Sequence, residues 1–154
     1  MNVRSRLLWV AAAVALVGMV IAEPSFAASD GRNETVLSAA ENLLAAMPDD
    51  YYTVKPVRAE KAIAAGDVLV IDVREPKEFE AEYMTGARNI PIRKLIAMID
   101  VLPRDRQAPI LIYCRIGHRG AIGLTILRML GYTDVRNLSG GLEAWKAGGL
   151  PLAK

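Results

Sequence analysis

The 154-residue chain has one cysteine and one histidine. A lone Cys excludes an intrachain disulfide framework, a cysteine zinc site and a CxxC redox pair. A lone His excludes a multi-histidine metal site. No metal site or cofactor is therefore expected. Net charge is also scarce: 19 Lys and Arg stand against 17 Asp and Glu, leaving +2. That is too little for a basic surface that binds nucleic acid. Internal repeats and low-complexity tracts are absent. Apolar residues are not: they make up 53% of the chain, with a mean hydropathy of +0.23. A disordered chain would lack that apolar surface. The length suits one domain, or one domain with a tail.

The apolar residues are densest at the N-terminus. Met1–Arg6 carries two arginines and no acid, and Leu7–Ala22 is apolar or small throughout. Pro24 and then Ser25-Phe26-Ala27-Ala28 follow. This basic, apolar and small-x-small order is the pattern of a secretory signal peptide, residues 1–27, cut after Ala27. The alternative is an uncleaved membrane anchor. The 16-residue apolar run is shorter than the roughly 20 residues that span a bilayer. Either way the remainder is expected in the periplasm or outside the cell. In an oxidising compartment an odd cysteine is flagged as a reactive thiol.

Along the mature chain, residues 28–50 read as an extension with an amphipathic helix. Val36, Leu37, Ala40, Leu43, Leu44 and Met47 fall on one face of Glu34–Met47. The remainder, 51–154, reads as one domain of strands alternating with helices. Strands are expected at Tyr51–Val54, Val68–Asp72, Ala87–Ile90, Ile110–Tyr113 and Asp134–Leu138. Helices are expected at Pro56–Ala65, Pro76–Ala81, Ile92–Val101, Gly120–Leu130 and Leu142–Ala147. The unbroken apolar runs are those of strands buried on both faces of a parallel sheet, so the class is α/β. Ligands in such folds sit beyond the carboxyl ends of the strands. Cys114 stands at one of those ends.

The segment Cys114-Arg115-Ile116-Gly117-His118-Arg119-Gly120 then runs into a helix. Helix N-termini carry unpaired N–H groups and partial positive charge. Converging N–H groups form an anion-binding nest. With Arg115, Arg119 and His118 nearby, the setting favours a nucleophilic thiolate and an anionic substrate beside it. The plainer reading, a buried structural cysteine, fits poorly beside three cation-capable groups. His118 is read as shaping the cradle, since a stabilised thiolate needs no general base.

Three segments together resemble the rhodanese-like sulfurtransferase family. They are Val70-Ile71-Asp72-Val73-Arg74-Glu75-Pro76-Lys77-Glu78-Phe79 with Gly86–Pro91, then Cys114–Arg119, then Gly131-Tyr132 through Gly140-Gly141, Ala144-Trp145 and Gly149-Leu150-Pro151. The resemblance implies a five-stranded parallel sheet with helices on both faces. It implies that Cys114 takes sulfane sulfur from a small anionic, thiosulfate-like donor. The resulting persulfide passes sulfur to cyanide, a thiol or a protein acceptor. It makes Arg115, Ile116, Gly117, His118, Arg119 and Gly120 the active-site loop, with Asp72 and Arg74 in support. Asp72 and Arg74 fit a structural ion pair as well as a direct role. Gly120 stands where the family often has Ser or Thr, whose hydroxyl can reach the sulfur, so Gly120→Ser is expected to speed persulfide formation, provided the backbone there does not need positive φ. Two alternatives remain: a persulfide carrier or sulfur-sensing module without turnover, and a cysteine phosphatase or arsenate reductase. The latter use Cys-x5-Arg, and the sixth position after Cys114 is Gly120. A membrane is a partner only if the signal segment stays uncleaved.

Overall fold

The computed structural model describes residues 33–154. The expected signal peptide and the lead-in at 28–32 lie outside the described residues. Helix α1, Glu34–Ala45, starts where the Asn33 side chain accepts the Val36 N–H at 3.2 Å, the usual way to satisfy a first-turn donor. It lays Leu43 on the domain core, which Met47 just beyond it also joins.

After α1 the chain runs β1 (Thr53–Val54), α2 (Pro56–Ala64), β2 (Leu69–Asp72), α3 (Pro76–Ala81), β3 (Tyr83–Met84) and β4 (Arg88–Asn89). It continues through β5 (Ile110–Tyr113), α4 (His118–Met129), β6 (Val135–Leu138), α5 (Gly141–Ala147) and β7 (Leu152–Ala153). Five strands form one parallel sheet in the order β1-β6-β5-β2-β4. β3 and β7 form a separate antiparallel pair. The expected α/β class and five-stranded parallel sheet are both present.

Side chains alternate across a strand, and β5 shows the consequence. Ile110 and Ile112, with Cys114 just past the strand end, join Leu124 and Leu127 of α4 in one core. Leu111 and Tyr113 join Ala59 of α2 and Leu142 and Trp145 of α5 in the other. Helices therefore cover both faces, and every residue of β5 is buried. Among the described residues no helix is long and apolar enough to cross a membrane.

Three expected elements change. The strand at Tyr51–Val54 shrinks to Thr53–Val54, because Tyr51 and Tyr52 have φ of 51° and 56°. The Asp50 side chain accepts the Tyr52 N–H at 2.9 Å, and this turn holds both tyrosines out of extended geometry. The helix at Ile92–Val101 is instead a pair of 3-10 turns, Ile92–Lys94 and Ile99–Val101. Its core-facing residues Ile92, Leu95 and Met98 recur every third position, the period of a 3-10 turn. Finally, α4 begins at His118, not Gly120, so His118, Arg119 and Gly120 are its first turn.

Candidate active site

The site is built where β5 ends and α4 begins, on the short loop Cys114–Gly117. Gly117 caps α4 with φ 106° and ψ −21°, a conformation open mainly to glycine. Its N–H points at Cys114 Sγ, at 3.1 Å. The loop's carbonyls face the other way. Leu142 N–H donates to the Cys114 carbonyl at 2.8 Å, and Glu143 N–H to the Arg115 carbonyl at 3.0 Å. A Cβ on Gly141 would lie 2.4 Å and 2.6 Å from those two oxygens, so only glycine lets α5 approach this closely. The C=O and N–H of a trans peptide point in opposite directions. With both carbonyls turned to α5, the N–H groups of Arg115 and Ile116 turn away from it. Together with the unpaired first-turn donors of α4 they make a nest suited to an anion. Cys114 itself is 1% exposed.

Both arginines of the loop have acidic partners. Arg119 is clasped by both carboxylate oxygens of Glu78 on α3, at 2.6 Å and 2.8 Å. Arg115 meets Glu143 at 3.2 Å on the surface, a pairing of small energetic weight. Each arginine thus has a carboxylate partner, and Arg119 also lies close enough to Cys114 to interact with its sulfur, so the positive character there comes from Arg119 as well as from backbone N–H groups. Ile116 is half exposed, and His118 is exposed on the first turn of α4.

Asp72 and Arg74 form a buried pair at the end of β2, 0% and 4% exposed. Arg74 Nε donates to both Asp72 oxygens at 3.0 Å and 2.9 Å, and Nη2 to Oδ2 at 2.6 Å. Nη2 also donates to the Glu82 carbonyl at 2.6 Å. These bonds describe a structural clamp. It adjoins the site through the sheet, where Val73 N–H donates to the Tyr113 carbonyl at 2.9 Å. The Tyr113 hydroxyl accepts the Met84 N–H at 3.1 Å, and burial pushes its phenol well above the ordinary range.

Sequence reasoning missed Glu78, Glu143 and Asn137 as parts of this site. Asn137, on β6, donates from Nδ2 to the Gly117 carbonyl at 3.1 Å. These residues lie 20 to 41 positions from their loop partners, so no local pattern discloses the pairing. Glu78 carries one local signal. With Glu75 it forms a capping box at the start of α3.

Hydrogen bonds from Arg119 hold the Glu78 carboxyl down at about 2, against an ordinary 4.5. The same pairing raises Arg119 above its usual range. A carboxyl lowered in the folded state stabilises the fold above its unfolded value. That contribution is lost as pH falls through the folded value. Wild type is therefore expected to be more heat-stable than Glu78→Gln above pH 4.5, with the gap closing toward pH 2. The pair is about one-third exposed, so the gap is modest. Melting curves at several acid pH values test this, and a constant gap would show that the ionised pair contributes nothing.

Comparison with known proteins agrees with this geometry. Residues 55–148 match the Rhodanese-like domain family. An uncharacterized protein of Synechocystis sp. is 34% identical over 102 residues, 66% of this chain; the chain spans 56% of that relative's length. The thiosulfate sulfurtransferase PspE of Escherichia coli is 36% identical over 73 residues, covering 47% of this chain and 69% of the relative. The crystal structure of a rhodanese-related protein from Thermoplasma volcanium superposes with a TM-score of 0.60 at 28% identity. It covers 67% of this chain and 98% of that one. The parallel sheet, the loop at its carboxyl edge and the matched span lead to one statement: this chain belongs to the rhodanese-like domain family.

Proposed function

We propose that the protein is a sulfurtransferase that carries sulfane sulfur on Cys114. The thiolate attacks the outer sulfur of thiosulfate or a similar anionic donor. The donor's S–S bond breaks, sulfite leaves with the electron pair, and Cys114 holds a persulfide. Cyanide, a thiol or a protein acceptor then attacks the outer sulfur. The persulfide S–S bond breaks and the Cys114 thiolate returns. The cycle balances without an external oxidant or reductant.

The observation that carries this reading is the backbone cradle: the Gly117 N–H 3.1 Å from Sγ, with the N–H groups of Arg115 and Ile116 turned away from α5. Preorganised N–H donors stabilise negative charge where it develops. Here that charge sits on the thiolate, the persulfide and the departing sulfite. The burial of Cys114 shields the persulfide from side reactions with solvent. It also demands a slim donor, and thiosulfate presents a single terminal sulfur. The name of the E. coli relative supports that donor class.

Incubation with thiosulfate is expected to add one sulfur, about 32 Da by atomic mass, to the intact protein. Cyanide should then remove it. A mass spectrum unchanged by thiosulfate and by other sulfane donors would overturn the proposal. Export is part of the same reading. Protein isolated from the native host is expected to begin near Ala28, and N-terminal sequencing that starts at Met1 in a membrane fraction would replace export with anchoring.

A further inference from the structure

Asn137 is 5% exposed and lies on β6, the strand beside β5. Its Nδ2 donates to the Gly117 carbonyl at 3.1 Å. The same carbonyl accepts the Ala121 N–H at 2.9 Å. Gly117's own N–H lies on Cys114 Sγ. With both its carbonyl and its N–H engaged, Gly117 has little freedom left in φ or ψ.

The orientation of the amide follows from chemistry. Two acceptor oxygens cannot pair, so Nδ2 faces the Gly117 carbonyl and Oδ1 faces away. There Oδ1 has no hydrogen-bond partner among the described residues. A buried acceptor without a donor is costly, so the arrangement calls for a reason. The reason lies over Gly120. A Cβ at that position would come within 2.2 Å of Oδ1 and 3.2 Å of Cγ. The amide therefore fills the space that any side chain at residue 120 would need.

We infer that Asn137 is a positioning residue: it acts through Gly117 to keep a backbone N–H on Cys114 Sγ, and glycine at 120 is the gap that admits it. The inference rests on the proposed role of Cys114 and deepens it. It also reverses the expectation from sequence for Gly120→Ser. A serine there meets Oδ1 and pushes the amide off the Gly117 carbonyl. The picture changes once Asn137 is removed. A serine on a helix can bond the carbonyl three residues back, and from position 120 that carbonyl is Gly117's. The hydroxyl then has both the space and the acceptor that Asn137 gave up.

The test uses Asn137→Ala, Asn137→Asp, Gly120→Ser and the double variant Asn137→Ala/Gly120→Ser in the full chain. The first readout is the pH profile of Cys114 alkylation by iodoacetamide, which needs no sulfur transfer. The second is kcat and KM with thiosulfate and cyanide. Each single variant is expected to slow alkylation at neutral pH by about five- to tenfold, the size of one hydrogen bond. Its profile should move to higher pH, and kcat should fall more than KM rises. Asn137→Asp keeps the shape but turns an acceptor toward the carbonyl, so it should fall with Asn137→Ala. The double variant should recover most of the loss. Losses that multiply in the double variant, or profiles unmoved in both Asn137 variants, overturn the inference. If Asn137→Ala does not fold, Asn137→Ser takes its place in the same comparisons. A wild type without persulfide but with this alkylation pattern removes the sulfur-transfer reading and leaves the positioning role. A wild type with persulfide but no such pattern removes the positioning role alone.

Discussion

Cys114→Ser is expected to abolish both the sulfur adduct and turnover while the protein stays folded. The serine oxygen occupies nearly the place of the sulfur and can accept the same Gly117 N–H, now 3.1 Å from Sγ. It has no comparable nucleophilicity, because a hydroxyl ionises far less readily than a thiol. Loss of a covalent nucleophile of this kind lowers turnover by about 10³-fold or more. The stability change should stay within about 2 kcal/mol, since the buried hydrogen bond is kept and little volume is lost. Mass spectrometry, a cyanide assay and a urea melt on the same sample separate these effects. Thiosulfate:cyanide turnover that survives in Cys114→Ser removes the proposed function altogether. A variant that unfolds shows that the thiol serves the core as well.

Asp72→Ala should be the most destabilising single change near the site. It strands a guanidinium that is 4% exposed and removes the three side-chain bonds that hold it. Breaking a buried pair by deleting one partner costs about 3–5 kcal/mol, because the remaining charge is uncompensated. In a domain of this size the melting temperature should fall by roughly 10–20 °C. Removing both charges together, as in Asp72→Leu/Arg74→Met, should cost distinctly less. The damage should also reach the loop. Arg74 holds the Glu82 carbonyl at the end of α3, and α3 carries the Glu78 that clasps Arg119. A loss under about 1 kcal/mol in Asp72→Ala, with a raised KM for thiosulfate in Arg74→Met, would assign the pair to donor binding and not to structure.

Much of this architecture is already written in the order of the residues. Ile110–Tyr113 is apolar without interruption because β5 is buried on both faces. Pro76 opens α3 at its first turn, where its missing N–H has no cost. Cys114 follows β5 directly, so its place at the carboxyl edge of the sheet follows from the alternation of strands and helices. These features depend on neighbours in sequence, and periodicity and turn chemistry report on neighbours. The sequence also marked the loop as electropositive, but it did not disclose the acidic partners of the loop's arginines. Arg119 and Arg115 are cations in the chain, but the fold sets Glu78 and Glu143 against them. Gly120 read as a missing hydroxyl, yet the space above it belongs to Asn137. The turn of Tyr51 and Tyr52 out of strand geometry likewise depends on Asp50 and on packing beneath α1. By itself the sequence determined where the one cysteine stands: at the carboxyl edge of the sheet, at the start of a loop that runs into a helix. Only the tertiary structure decided what surrounds it: charge and volume at the sulfur depend on residues tens of positions away, and it is the folding of the sheet that brings those residues within hydrogen-bond range.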